Sequence, residues 1–208
     1  MSNYSHFSKV LNTYINKNGF HTNIESDTAT TSCNRNTGTN LCKIAIPAID
    51  MDSFAKKIYR KRVWPESITE NDSPNSADAF FISHDNRWFL IEYKDQEIKN
   101  AKDSVTKKAY SNAYLLLDVL FEMQNDKSAY PWFDYNSPLT FMRTNVEYIL
   151  VFSSIKNPQK VIQYRNHACL GQNYVPDFMQ KLSHYIFRQA YALPEYGFEN
   201  EFLKKFVF

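Results

Sequence analysis

Apolar positions along the chain fall into two periods. Phe7, Val10, Leu11, Tyr14 and Ile15 recur at three- and four-residue spacing, with Gly19 behind them as a stop. That pattern predicts an amphipathic helix over residues 3–17. The tract 28–40 is rich in Thr, Asn and Ser and reads as a surface loop. A short apolar run, Ile44-Ala-Ile46, is closed by Pro47, and Asp52 or Ser53 can cap a helix through Phe54, Ile58 and Tyr59. After an irregular stretch marked by Pro65 and Pro74, two segments are apolar on both faces: Asp78-Ala-Phe-Phe-Ile-Ser83 and Trp88-Phe-Leu-Ile-Glu-Tyr-Lys94. They predict neighbouring mid-sheet strands, joined through the turn chemistry of His84-Asp85-Asn86-Arg87.

Beyond them, Val105, Ala109, Ala113, Leu116, Leu117, Leu120 and Met123 keep a period near 3.6 and predict a long helix over 100–124. The Tyr130-Pro-Trp-Phe133 loop leads to a buried strand, Val146–Phe152, and Val161-Ile-Gln-Tyr164 reads as a shorter edge strand. Phe178, Leu182, Tyr185 and Ile186 form a stripe that returns the chain to helix, and Phe198, Phe202, Leu203 and Phe206 make a last turn or two. No internal repeat is visible. Helix, strands, helix, strand, helix is the order of an α/β fold: a central mixed β-sheet flanked by helices on both faces.

Composition narrows this picture. A length of 208 residues with 43% hydrophobic and 16% aromatic content suits one core-forming domain spanning 1–208 and argues against disorder throughout. A net charge of +2 selects no partner. The polar N-terminus carries no signal-peptide pattern, and no apolar run reaches membrane-spanning length. Cys33, Cys42 and Cys169 are an odd set without a CxxC pair and read as free thiols of a reducing cytoplasm. Cys33, Cys42 and His21 match no closed zinc spacing. Four glycines and no Gly-rich phosphate loop argue against nucleotide-driven chemistry.

The candidate chemistry lies in the two central strands. Glu92 and Lys94, two apart on one strand, share a face. Asp78 joins them only if the connecting loop has odd parity. A two-residue turn at Asp85-Asn86 places Asp78 opposite Tyr93, on the wrong face. A three-residue loop, His84-Asp85-Asn86, with Asn tolerating the left-handed position, places it opposite Glu92 or Lys94. Two carboxylates on a buried face repel and cost desolvation. A hard divalent cation removes that cost, polarises a phosphoryl oxygen and acidifies water. A neighbouring lysine orients that water or stabilises the pentacovalent charge. The residues alone also admit a plain ion pair between Glu92 and Lys94 at a strand end.

At these positions the chain resembles the PD-(D/E)xK superfamily of restriction-endonuclease-like nucleases. Asp78 opens one strand, and Glu92-Tyr93-Lys94 closes the next. The resemblance covers about residues 50–155, and the N-terminal helix and C-terminal helical segment are expected to pack on that core. It implies a restriction-endonuclease-like fold and an Mg²⁺-dependent nuclease, with Mn²⁺ as substitute, hydrolysing phosphodiesters in DNA. Asp78, Glu92 and the Tyr93 carbonyl would bind the metal, and Lys94 would assist the water. Lys107 and Lys108, on the following helix with Tyr110, would contact nucleic acid. A homodimer follows by analogy, since double-strand cutting often uses two active sites. The pattern departs from the family at Ala77, where a proline is common, and no Gln-x-x-x-Tyr follows the motif. Glu66 and Glu25 are the candidates for a further upstream acid. The weak net charge and this unassigned acid also admit a catalytically inactive binding or regulatory module on the same fold.

Elsewhere the residues read as structural. The basic run Lys56, Lys57, Arg60, Lys61 and Arg62 is a solvated helix face, and His84 is a turn residue. His184 sits among core aromatics as a hydrogen-bonded residue, and Trp132 and Phe133 are core packing rather than base-stacking groups.

Overall fold

The computed structural model describes residues 3–34, 37–64, 74–123 and 137–207. Its strands are β1 (Glu25–Asp27), β2 (Cys33–Asn34), β3 (Thr39–Asn40), β4 (Pro47–Asp50), β5 (Ala79–Ile82), β6 (Trp88–Lys94), β7 (Val146–Phe152) and β8 (Gln189–Pro194). Six of them form one mixed sheet in the order β1-β4-β5-β6-β7-β8, while β2 and β3 pair separately. Pairing is antiparallel from β1 to β6 and parallel from β6 to β8. The doubly apolar strands β5 and β6 lie mid-sheet, as the pattern predicts, because only covered positions accept such segments.

The helices are α1 (Asn3–Lys17), α2 (Thr28–Thr31), α3 (Met51–Phe54), α4 (Arg60–Val63), α5 (Ile98–Met123), α6 (Pro138–Asn145), α7 (Pro158–Cys169), α8 (Asp177–Gln180), α9 (Glu195–Gly197) and α10 (Leu203–Phe206). A π-helical turn at Ala55–Tyr59 joins α3 to α4, and another at Phe198–Phe202 joins α9 to α10. Alternation along β6 shows why helices cover both faces. Trp88, fully buried, meets Phe7 of α1, Phe80 of β5 and Phe141 of α6. Its neighbour Phe89 points the other way, onto Phe202 and Phe206. The long crossover from β6 to the parallel β7 contains α5, whose buried stripe includes Val105, Ala109, Leu116 and Leu120. Among the described residues, no helix is long and apolar enough to cross a membrane.

Several local expectations are corrected. The tract 28–40 is not all loop. Asp27 accepts a hydrogen bond from the Thr30 N–H at 2.8 Å and caps α2, and β2 and β3 follow. Asp27→Ala should therefore cost about 1 kcal/mol in urea unfolding, the usual worth of an N-cap. The next helix starts at Met51 with Asp50 as its cap, its carboxylate accepting from the Ser53 N–H and hydroxyl, both at 2.8 Å. Val161-Ile-Gln-Tyr164 is not a strand. It lies in α7, where Pro158 opens the first turn and Val161 and Tyr164 bury one face at i, i+3 spacing. The stripe from Phe178 to Ile186 yields only the single turn α8, and Tyr185 is exposed. The true element of that region is β8, which pairs in parallel with β7. His184 is likewise exposed, with φ at 61°, rather than buried among aromatics. The aromatics Trp132 and Phe133, and the acid Glu66, lie outside the described residues.

The basic run is partly spent on internal ion pairs. Arg62 reaches Asp118 at 2.9 Å and also pairs with Glu122, both on α5, and Lys56 pairs with Asp52 at 2.6 Å. At the opposite end of the sheet from Lys94, the fully buried Glu147 is held by Arg87 and by the Tyr191 hydroxyl at 3.1 Å.

Candidate active site

The site is built by hairpin parity. Ile82 pairs with Trp88 and Ala79 with Ile91, and the Ser83 N–H donates to the Arg87 carbonyl at 2.9 Å. His84, Asp85 and Asn86 are thus a three-residue loop, and Asn86 takes the left-handed position at φ 61°. Extending this register by one residue sets Asp78 opposite Glu92, on the face shared with Lys94. The strand end also frees the Tyr93 N–H, which donates to Asp78 Oδ2 at 2.7 Å in place of a backbone acceptor. A strand residue's N–H and C=O face the same neighbour. The Tyr93 carbonyl therefore also faces the Asp78 side.

Around Glu92 the charges balance. Glu92 is fully buried. Lys94 Nζ lies 2.7 Å from its Oε1 and reaches the Ser104 hydroxyl of α5 at 3.4 Å. Lys108, one helical turn further along α5, places its Nζ 2.8 Å from Glu92 Oε1, 2.9 Å from Oε2 and 3.3 Å from Asp78 Oδ1. Both ammonium groups thus pair with Oε1.

The electrostatic consequences follow from burial and proximity. Loss of hydration, then the nearby Asp78 charge, pushes the Glu92 carboxyl from 4.5 up to about 7, against the pull of Lys108 and Lys94. Burial also raises Asp78, partly opposed by Lys108 and the Tyr93 N–H. Burial works against the Lys108 ammonium, but the two carboxylates, Glu92 foremost, outweigh it and hold the amine above its ordinary range.

A cleft of about 640 Å³ opens beside this cluster. Asp78, Tyr93 and Lys94 line it, together with Asp50 and Asp52 from the β4–α3 junction and Lys56 from the π-helical turn after α3. The sequence pattern offers Asp52 only as a helix cap and does not mark Asp50, which is the actual cap. Both accept hydrogen bonds from neighbouring serines, Asp50 from Ser53 and Asp52 from the Ser76 hydroxyl at 3.0 Å. Glu25 faces α1 instead, accepting from the Ser8 hydroxyl and from Asn12 at 3.3 Å. Lys107 is exposed and lines a separate shallow cleft with Lys102 and Lys181. Cys33 is exposed and Cys42 buried.

The donor set fits a hard divalent cation in kind. Asp78 and Glu92 offer carboxylate oxygens toward one point, now bridged by the Lys108 ammonium. Among the described residues, however, no group of three or more His, Cys, Asp or Glu is gathered closely enough to hold a metal. No family model matches the chain, and neither a curated protein nor a solved structure matches it.

Proposed function

We propose that the protein is a metal-dependent nuclease with a restriction-endonuclease-like core, hydrolysing phosphodiester bonds in DNA. One observation carries this reading: Asp78, Glu92 and Lys94 share one face of a buried hairpin, with Asp78 and Lys94 lining a cleft and Glu92 buried beside them. Such convergence is costly as packing alone, since it brings two carboxylates into a desolvated site. A divalent cation, Mg²⁺ or Mn²⁺, held by Asp78, Glu92 and the Tyr93 carbonyl would supply Lewis acidity toward a phosphoryl oxygen and lower the pKa of water. The chain's own share is positioning. The Tyr93 N–H fixes the Asp78 carboxylate, and Ser104 and Glu92 hold the Lys94 ammonium beside the cleft. From there Lys94 orients the attacking water and meets charge developing on the phosphorus centre.

The test is cleavage of single- and double-stranded DNA and of RNA with Mg²⁺ or Mn²⁺, beside Asp78→Ala and Lys94→Ala. Activity lost in both variants supports the reading, and activity surviving both overturns it. Among the described residues no third acid, His or Cys joins the two carboxylates, which favours a second reading, a binding or regulatory module that keeps the fold without turnover. Nucleic-acid binding that persists in Glu92→Gln, with no calorimetric signal for either metal, would select that second reading.

A further inference from the structure

We infer that Lys108 is an internal counter-ion which holds the two carboxylates together in the metal-free protein and must leave them when a divalent cation binds. This inference rests on the metal-binding reading above and adds how the site is kept before loading.

The geometry is specific to Lys108. Lys94 contacts Glu92 alone among the two carboxylates, at 2.7 Å. Lys108 bridges them, at 2.8 and 2.9 Å from the two Glu92 oxygens and 3.3 Å from Asp78 Oδ1. Its side chain is only 18% exposed, so the bridge is shielded from water. Mg²⁺ coordinates carboxylate oxygens at about 2.1 Å. A cation sharing these two carboxylates would then occupy the region that the ammonium fills. Two like charges cannot share it in a site from which water is largely excluded. The lysine side chain is a flexible four-carbon stem, so it leaves by rotation without moving α5. Asp78 and Glu92 need a positive partner whenever both are ionised, because a buried pair of carboxylates without one is strongly disfavoured. Lys108 fills that need in the free protein, and its departure is the cost that metal binding meets.

The counter-ion role predicts that Lys108→Met binds Mn²⁺ more tightly than the wild type, by at least about tenfold in calorimetric Kd. The metal-free variant should melt at lower temperature and gain more than the wild type on adding Mn²⁺. Lys108→Gln, which keeps a polar group at the site, guards against a methionine variant that does not fold. The wild-type protein offers a separate readout. Under limiting acetic anhydride, Lys108 should be among the slowest lysines to acetylate without metal and should label readily with saturating Mg²⁺. Equal or weaker Mn²⁺ binding in the variants, with Lys108 labelling unchanged in metal, would overturn the counter-ion role and leave the metal reading standing. Absence of Mn²⁺ binding at millimolar concentration in wild type and both variants would overturn the metal reading and this inference together.

Discussion

Replacing Lys94 by methionine is expected to lower the rate of metal-supported DNA cleavage by about 10²–10³-fold while divalent-ion binding survives. The expectation follows from the division of labour within the trio. Asp78 and Glu92 supply the oxygens that would hold a cation, so their loss removes binding and turnover together. Lys94 supplies no metal donor, since an ammonium only donates hydrogen bonds. It touches Glu92 at 2.7 Å and Ser104 at 3.4 Å, which leaves one of its three ammonium hydrogens for a water or a phosphate oxygen at the cleft. Methionine keeps much of the stem's packing and removes the charge, so the fold should be retained. The measurement is a pair of numbers on one preparation: single-turnover cleavage rate, and Mn²⁺ affinity by calorimetry. A loss confined to the rate assigns Lys94 to the chemical step. A parallel loss of Mn²⁺ affinity would mean that Lys94 acts through Glu92 as a structural partner.

The parts of the fold that were legible in the sequence are those whose local pattern and tertiary environment agree. α1 lies where the spacing of Phe7, Leu11 and Ile15 puts it, and β6 and β7 are largely apolar runs, broken by Glu92, Lys94 and Glu147, buried on both faces. The hairpin was legible to the level of parity, because only an odd loop lets Asp78 face Glu92 and Asn86 is a residue that accepts a positive φ. Residues 158–194 were not. Val161-Ile-Gln-Tyr164 is a short run in which strand and helix spacing look alike, and Pro158 upstream decides for helix. β8 hides because Gln189-Ala-Tyr-Ala-Leu-Pro194 contains two alanines and a proline, poor strand formers whose burial comes from pairing with β7 rather than from their own propensity.

The same contrast applies within the site. Strand register carries Asp78, Glu92 and Lys94 to one face, and period-two alternation is visible in any strand. Lys108 comes from a helix whose placement against the sheet no spacing rule provides. Sequence alone offers Lys107 and Lys108 as an equivalent basic pair. The fold separates them, turning Lys107 to solvent and Lys108 into the carboxylate bridge. The signal that distinguishes them is helical phase: Val105, Ala109 and Asn112 are buried, and Lys108 stands beside this stripe.

In the metal-free protein, stability should fall as pH rises from about 4.5 to about 7, and Glu92→Gln should largely flatten that slope. In an unfolded chain the Glu92 carboxyl titrates near its ordinary 4.5, and in the folded protein near 7. Between these values the folded state holds a proton that the unfolded state has released, so unfolding becomes easier with increasing pH. Protonated Glu92 is a neutral group in a dry site, and its stabilising contribution is complete below 4.5 and lost above 7. Asp78 is shifted upward as well and acts in the same sense. The opposite trend from Asp27, whose cap holds its carboxyl low, is confined to the acid side, where its contribution is lost as pH falls. A carboxyl moved from 4.5 to about 7 carries roughly 3 kcal/mol of pH-dependent stability. For a chain of this length that corresponds to several degrees or more of melting temperature. Melting curves between pH 5 and 8 in the presence of a chelator test it. Saturating Mg²⁺ should reverse the sign, because the cation selects the ionised carboxylates and binds more tightly as pH rises. A slope that is the same with chelator, with Mg²⁺ and in Glu92→Gln would place the pH dependence elsewhere and remove the buried carboxylate pair as its source.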